Sequence, residues 1–420
     1  MTALLIVPVV LGTGFHSVMP VHFLSSAWGG ENARDLYNEI RLMSKNPSRA
    51  CEQEVAVWMK RAAPVLPKFN EIGLALSLHS LSQLKKGHCL IKSIPESFIQ
   101  SWENSALNKM NGFNSQGLAN SIYAFSLLGI HPSDQFLGAW QRAAFHSMDD
   151  FNSQELSISL YAFSLLGIQP REQYVEAWQK SAFRSLGDFN PQELSISLYA
   201  FSLLGIQPRE QFIEAWQKSA FRSMGNFSPQ NLANSLYAFS LLGIHPRREF
   251  LKAWEKRAVE RLDDFVVEEL HQIFSAEKGL FARFKIPLPP KISSRVKAGV
   301  LSLKEQDTRQ SNSQKRIAHD IKLLFPQDLR EEYWSDAIAS YVDFAVPSSH
   351  LVIQFDGPHH YLVKKGVDVL RPQDQMLDFI LRNEGWTVVR IHYAYWSSIA
   401  NQPQSDRLAA LRKTLGLTVK

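Results

Sequence analysis

The sequence predicts an α-solenoid of two-helix, 38-residue repeats followed by a small α/β domain. Three observations predict it. Phe113, Phe151, Phe189, Phe227 and Phe265 recur every 38 residues, and the residues between them nearly repeat. Beyond about residue 313 the apolar pattern changes from helical spacing to alternation. The chain of 420 residues is also too long for one core of roughly 150.

The unit from Phe189 to Asn226 reads as a helical hairpin. Asn190-Pro191 and Gln192-Glu193 form a helix start, because proline fits the first turn. Leu194, Leu198, Phe201 and Leu204 follow at helical spacing, and Gly205 ends the helix in the left-handed cap position. Pro208 is expected to open a second helix whose apolar face holds Phe212, Trp216, Ala220 and Phe221. Neither helix buries its face alone, so neighbours must stack, and Trp140, Trp178, Trp216 and Trp254 are expected in equivalent core positions.

The regular repeats are 113–150, 151–188, 189–226 and 227–264. Trp58 and Trp102 stand at the same offset before Phe69 and Phe113 as the later tryptophans do before theirs, so two degenerate repeats extend the array to 55–278. The longer interval from Phe69 to Phe113 is assigned to an expanded loop around Lys85-Lys86-Gly87 and Pro95. Residues 1–54 form an irregular or helical amino-terminal segment. Pro287, Pro289 and Pro290 are expected to stop helix formation, with 279–312 as a basic linker. The small α/β domain covers 313–400, with helices at Gln314 to Leu324 and Gln373 to Arg382 and strands at Tyr341 to Val346, Leu351 to Phe355 and Trp386 to Tyr393. Residues 401–420 form a terminal helix or tail.

Composition excludes several classes. No apolar stretch reaches the roughly 18 residues of a membrane span; the run Ala3 to Gly12 is interrupted by Pro8. Two cysteines, Cys51 and Cys89, make neither a disulfide framework nor a four-ligand zinc site. The net charge of +5 is basic without a histone-like excess. Its distribution is uneven: Phe113 to Asp264 holds 13 Lys or Arg against 15 Asp or Glu, a net of −2, whereas Gly279 to Arg330 holds 11 against 4, a net of +7. The basic segment suits a phosphate backbone or a solvated linker equally.

The repeat resembles the octotricopeptide family over roughly Phe69 to Asp264, through a first helix ending in LLGI and a Pro-led second helix carrying AW. The resemblance implies recognition of single-stranded RNA, with first helices lining a concave surface and a few side chains per repeat reading a base. Reading positions should vary on a constant framework. Leu118, Leu156, Leu194 and Leu232 are constant, while the positions two residues on are Asn120, Ile158, Ile196 and Asn234. Asn pairs with a base edge, and Ile excludes water or packs on a ring. Lys180 and Lys218 share one second-helix position, with Lys256 and Arg142, and Arg184 and Arg222 share another. They are candidate phosphate contacts, or solvated residues pairing with Glu176 and Glu214.

In the terminal domain, VDFAVPSSHLVIQFDGPHHYL and LDFILRNEGWTVVRIHYAYW resemble the RAP domain, which occurs with octotricopeptide-like repeats in organellar RNA-processing factors. That domain is similar to the very-short-patch-repair and PD-(D/E)XK endonuclease fold, so a restriction-endonuclease-like architecture is implied. In that pattern Asp343 and Asp356 would hold Mg²⁺, Gln354 takes a place usually acidic, and His359 or His360 would act as base or phosphate contact. Gln354 is a poor ligand for a hard dication.

Three functions follow as expectations. The first is a sequence-selective single-stranded RNA-binding protein of RNA processing or stability, needing no cofactor. The second is a Mg²⁺-dependent nuclease using Asp343, Gln354, Asp356, His359 and His360. The third is a protein-interaction scaffold, which the near-neutral repeat surface favours. A monomer without membrane attachment is expected inside a cell. The resemblance implies a mitochondrion or chloroplast, although the start MTALLIVPVV lacks the early Arg of a transit peptide; a bacterial cytoplasm or delivery into a host cell stays open.

Overall fold

The computed structural model describes residues 32–47, 50, 52–88, 93–305, 312–364 and 366–417. A long array of stacked α-helices is followed by a small β-sheet with its own helices. The early helices are α1 (Ala33–Lys45), α2 (Glu52–Ala62), α3 (Glu71–Lys86), α4 (Glu96–Leu107), α5 (Ser115–Leu128), α6 (Asp134–His146), α7 (Ser153–Leu166) and α8 (Glu172–Ser185). The array continues with α9 (Pro191–Leu204), α10 (Glu210–Ser223), α11 (Pro229–Leu242), α12 (Arg248–Glu260), α13 (Val267–Phe284) and α14 (Pro290–Leu301). The terminal region holds α15 (Asn312–Leu324), β1 (Arg330–Ser335), β2 (Ser340–Val346), β3 (Leu351–Asp356), β4 (Tyr361–Lys364), β5 (Val367–Leu370), α16 (Pro372–Asn383), β6 (Thr387–His392), α17 (Tyr393–Ile399) and α18 (Gln404–Thr414). Among the described residues no helix is long and apolar enough to cross a membrane. Cys51, Cys89 and the run Ala3 to Gly12 lie outside the described residues.

The described residues divide into two compact units, one within 32–166 and 170–182, the other within 167–169 and 183–417. In the first unit α3 packs between α1 and α5, and α5 packs on α7. In the second, α11 packs between α9 and α13. Local chemistry defines the helix ends. The Asn114 side chain accepts from the Gly117 N–H at 2.8 Å, and Asn190 with Glu193 closes a capping box at 2.9 Å in each direction. At the other end Gly129, Gly205 and Gly243 take φ of 65°, 60° and 64°, and Ile130, Ile206 and Ile244 each return an N–H to a carbonyl in the last turn. The LLGI sequence is thus a helix stop: only glycine takes the left-handed cap without strain, and the isoleucine N–H satisfies a carbonyl that the helix leaves open.

The tryptophans occupy the core positions expected of them. Trp140 and Trp178 donate their indole N–H to the carbonyls of Leu118 (2.9 Å) and Leu156 (2.7 Å), and Trp216 and Trp254 do so to Leu194 (2.8 Å) and Leu232 (2.9 Å). All four are fully buried, which settles them as packing residues whose polar atom is satisfied. Trp58 and Trp102 make the same bond to Leu36 and Leu74.

Three expectations need correction. Lys85 and Lys86 are not in a loop but form the last turn of α3, where Lys85 Nζ donates to the Leu128 carbonyl. Pro290 does not stop a helix; it opens α14 at its first residue, where a missing N–H costs nothing. Much of the expected linker is therefore helix. α10 begins at Glu210 with Arg209 as its cap, just after Pro208.

The terminal sheet has strand order β1-β2-β3-β6, antiparallel except for the parallel β3–β6 pair. Leu351 and Ile353 pack on one face with Ile317, Ile321, Trp396 and Leu411 from α15, α17 and α18. Val352 packs on the other with Met376, Ile380 and Leu381 of α16. The strands β1, β4 and β5 and the helix α17 were not expected, because each is short and carries charge or aromatic residues without clear alternation.

Candidate functional site

The parallel pairing of β3 and β6 puts Gln354 beside Arg390 and Asp356 beside His392 at the carboxyl ends of adjacent strands. Side chains at such ends converge, and here they build an ion cluster. The Arg390 guanidinium donates to Asp356 Oδ1 at 2.6 Å and forks onto Asp378 through Nε (3.0 Å) and Nη2 (2.8 Å). Asp374 stands 3.7 Å from the same guanidinium. Asp374 and Asp378 are one turn apart on α16, so one helix face supplies two of the three carboxylates. The Arg390 side chain is 12% exposed and that of Asp356 1%. Burial alone would lower the arginine pKa, but the bond to Asp378 and the charges of Asp356, Asp378 and Asp374 outweigh it and hold it above its usual value.

Histidines and tyrosines surround this centre. The second oxygen of Asp356 accepts from the Tyr361 hydroxyl at 2.9 Å; burial and that carboxylate both push the phenol upward. His360 Nδ1 lies 2.9 Å from Asp374 Oδ1. Burial opposes its charge, yet Asp374 prevails and the pKa is raised. With Nδ1 committed, Nε2 is the nitrogen that remains for a ligand. The His359 ring is tilted 42° to that of His360, with centroids 4.2 Å apart; the residue is exposed, and partial desolvation of its ring and the neighbouring imidazole lower its pKa. His392 Nδ1 accepts from the Ala394 N–H at 3.1 Å, so its proton sits on Nε2, facing Asp368 at 3.1 Å.

Asp343 is engaged elsewhere. Its Oδ2 accepts from the Phe355 N–H at 2.7 Å, its Oδ1 accepts from Gln314 Nε2 at 2.8 Å, and Gln354 Oε1 accepts from the Asp343 N–H at 3.0 Å. These side chains replace the ladder where the β2–β3 register stops at Phe344 and Ile353. Burial pushes Asp343 up to about 6.

The donor set does not fit Mg²⁺. A hard dication takes unpaired carboxylate oxygens. Asp343 has committed both of its own, the Gln354 carbonyl is used, and Asp356 holds an arginine and a tyrosine hydroxyl. Asp343 and Asp356 share no hydrogen-bond partner. Among the described residues no group of three or more His, Cys, Asp or Glu is placed to hold a metal. The structure therefore brings Asp356 and His360 together with Arg390 and leaves Asp343 and Gln354 as a strand latch. Arg390 was missed although it lies in GWTVVRI, since the acidic-residue pattern does not look for a buried cation; the four-residue spacing of Asp374 and Asp378 was the available signal.

In the array, Ile158, Ile196 and Asn234 are 6%, 3% and 4% exposed, whereas Asn120 is half-buried. Lys180, Lys218, Arg184 and Arg222 are exposed. Glu214, the expected partner of Lys218, is paired with Arg247.

Two family models match the chain. The RAP domain model matches residues 353–414, and the model described as the Tbc2 translation factor, C-terminal domain, matches residues 98–282. No curated protein matches.

Proposed function

We propose that this chain is a single-stranded RNA-binding protein that selects its RNA by sequence and acts in RNA processing, stability or translation. The observation that carries this reading is the order of the two matches: a helical array similar to the carboxy-terminal part of a translation factor, followed further along the chain by a RAP domain. The octotricopeptide-like repeat unit points the same way, and an organelle of the mitochondrial or chloroplast type is the compartment that resemblance favours. First helices would read bases, the exposed Lys180, Lys218, Arg184 and Arg222 would meet phosphates, and His359 with His360 Nε2 would bring the terminal domain onto the strand.

Cleavage is not the favoured reading, because Arg390 and Tyr361 occupy Asp356 while the Phe355 N–H and Gln314 occupy Asp343. A scaffold is the second reading; the exposed Phe145, Phe183 and Phe221 at equivalent second-helix positions favour it. Incubation with a random single-stranded RNA pool in EDTA and in Mg²⁺, followed by sequencing, separates these. An enriched motif in EDTA with uncut RNA in Mg²⁺ is expected. Mg²⁺-dependent new ends lost in His359→Ala would establish the nuclease instead, and no enrichment would leave the scaffold.

A further inference from the structure

We propose, resting on the RNA-binding reading, that bases are read only by first helices preceding α9, and that the first-helix faces of α9, α11 and α13 are permanently taken by the terminal domain of the same chain. Asn120 is then the specificity-determining residue, while Ile196 and Asn234 are packing residues. The contact is built in detail. α16 packs on α9, α11 and α13. Met376 enters where the array is smallest: its Sδ lies 3.9 Å from Ser240 Oγ, and a Cβ at Gly279 would collide with it. Leu241 joins the apolar core beneath α16.

Around this apolar centre stand polar locks. The Arg283 guanidinium lies over the Phe379 ring at 4.6 Å, Lys278 pairs with Glu384 at 3.7 Å, and His271 Nε2 meets the Ile338 carbonyl at 3.3 Å. The terminal domain also presents Arg371 at Gly167 and Lys364 at Gly205. Gly205 caps α9, whose carboxyl end favours a cation. Val363 adds a β-bridge to Ile168.

The consequence falls on the reading positions. On α13 the position equivalent to Asn120 is Gln272, and it donates to the Tyr199 hydroxyl of α9 at 3.3 Å. Ile196 and Asn234 are buried on helices against which α16 packs, so a base reaching them must displace packed side chains. Asn120, half-buried, is the more accessible of the two asparagines.

The test compares motifs enriched by the full chain from a random single-stranded RNA pool in EDTA. Asn120→Ala should lose preference at one base and weaken binding on the order of tenfold, whereas Asn234→Ala, with Asn234→Ser as a milder partner, should leave the motif unchanged. Phe379→Asp and Arg283→Glu each loosen the docked domain and should lengthen the motif at one end, with thermal melting confirming that the array stays folded. A base preference lost in Asn234→Ala, or a motif lengthened in neither loosened variant, overturns the proposal while leaving RNA binding in place. No motif in any form overturns both.

Discussion

Helices α5 and α9 are nearly the same peptide, LANSIYAFSLL from Leu118 and LSISLYAFSLL from Leu194, yet they live in different surroundings. In α5 the side chains of Asn120, Ser126 and Leu127 are half-buried, while in α9 every residue from Glu193 to Leu204 is buried. Both share the same cap, the same left-handed glycine and the same indole bond to the leading leucine. One difference between them is a partner: α16 packs on α9. Amphipathic spacing defines which side of a helix seeks its neighbours, but the burial of the remaining side depends on what the rest of the chain brings to it.

That comparison can be broken from the α9 side by removing the cation that ties α16 to the sheet. Arg390→Leu leaves Asp356, Asp374 and Asp378 without their shared partner, and breaking a buried pair of this kind costs up to about 5 kcal/mol. The expected outcome in chemical denaturation is loss of the terminal domain, with faster amide exchange in α9 and none in α5. Equal acceleration in both helices would mean that α16 is not what distinguishes them.

The shared framework is tested by Trp140→Ala and Trp216→Ala. Each removes a fully buried indole that holds a first helix to its second, at a cost of about 3–5 kcal/mol. Similar losses are expected, because both indoles are fully buried and bonded to the equivalent first-helix carbonyl. A much smaller loss for Trp216→Ala would show the terminal domain substituting for the repeat's own packing.

A smaller effect comes from acidity and concerns only the unit bearing α9. Asp343 titrates in the fold at about 6, above its ordinary 3.8, so the folded state holds the proton more tightly than the unfolded chain. Its contribution is favourable below the unfolded value and is lost as pH rises through about 6, by at most about 3 kcal/mol. The thermal midpoint of the terminal domain should therefore fall between pH 4 and 7. Asp343→Asn should flatten that profile while α5 shows no response; an unchanged slope would place the titration on another group.

The helical array was legible because its packing residues are spaced regularly: the core tryptophans and the helix-ending glycines each have one physical job. The main strands of the terminal sheet, β2, β3 and β6, were legible from their apolar alternation, and the Asp356, His359 and His360 turn from its position at a strand end. Lys85 and Pro290 were misjudged because basic and proline residues are common in loops; in the fold a lysine caps a neighbouring helix and a proline sits where a helix tolerates it. The hairpin of β4 and β5 is too short to leave a pattern, and its Lys364 acts on an array glycine far away in sequence.

For this chain, local order was determined by the sequence alone: helix starts at Asn190 and Ser228, stops at Gly205 and Gly243, and the identity of the core tryptophans. These depend on interactions that close within a few residues or recur at a fixed period. The tertiary structure alone decided that Arg390 would stand among three carboxylates, that Asp343 would tie two strands rather than face a ligand, and that α16 would pack on α9, α11 and α13. Such outcomes depend on groups brought together from distant positions, where desolvation and charge act through space and leave no spacing to read.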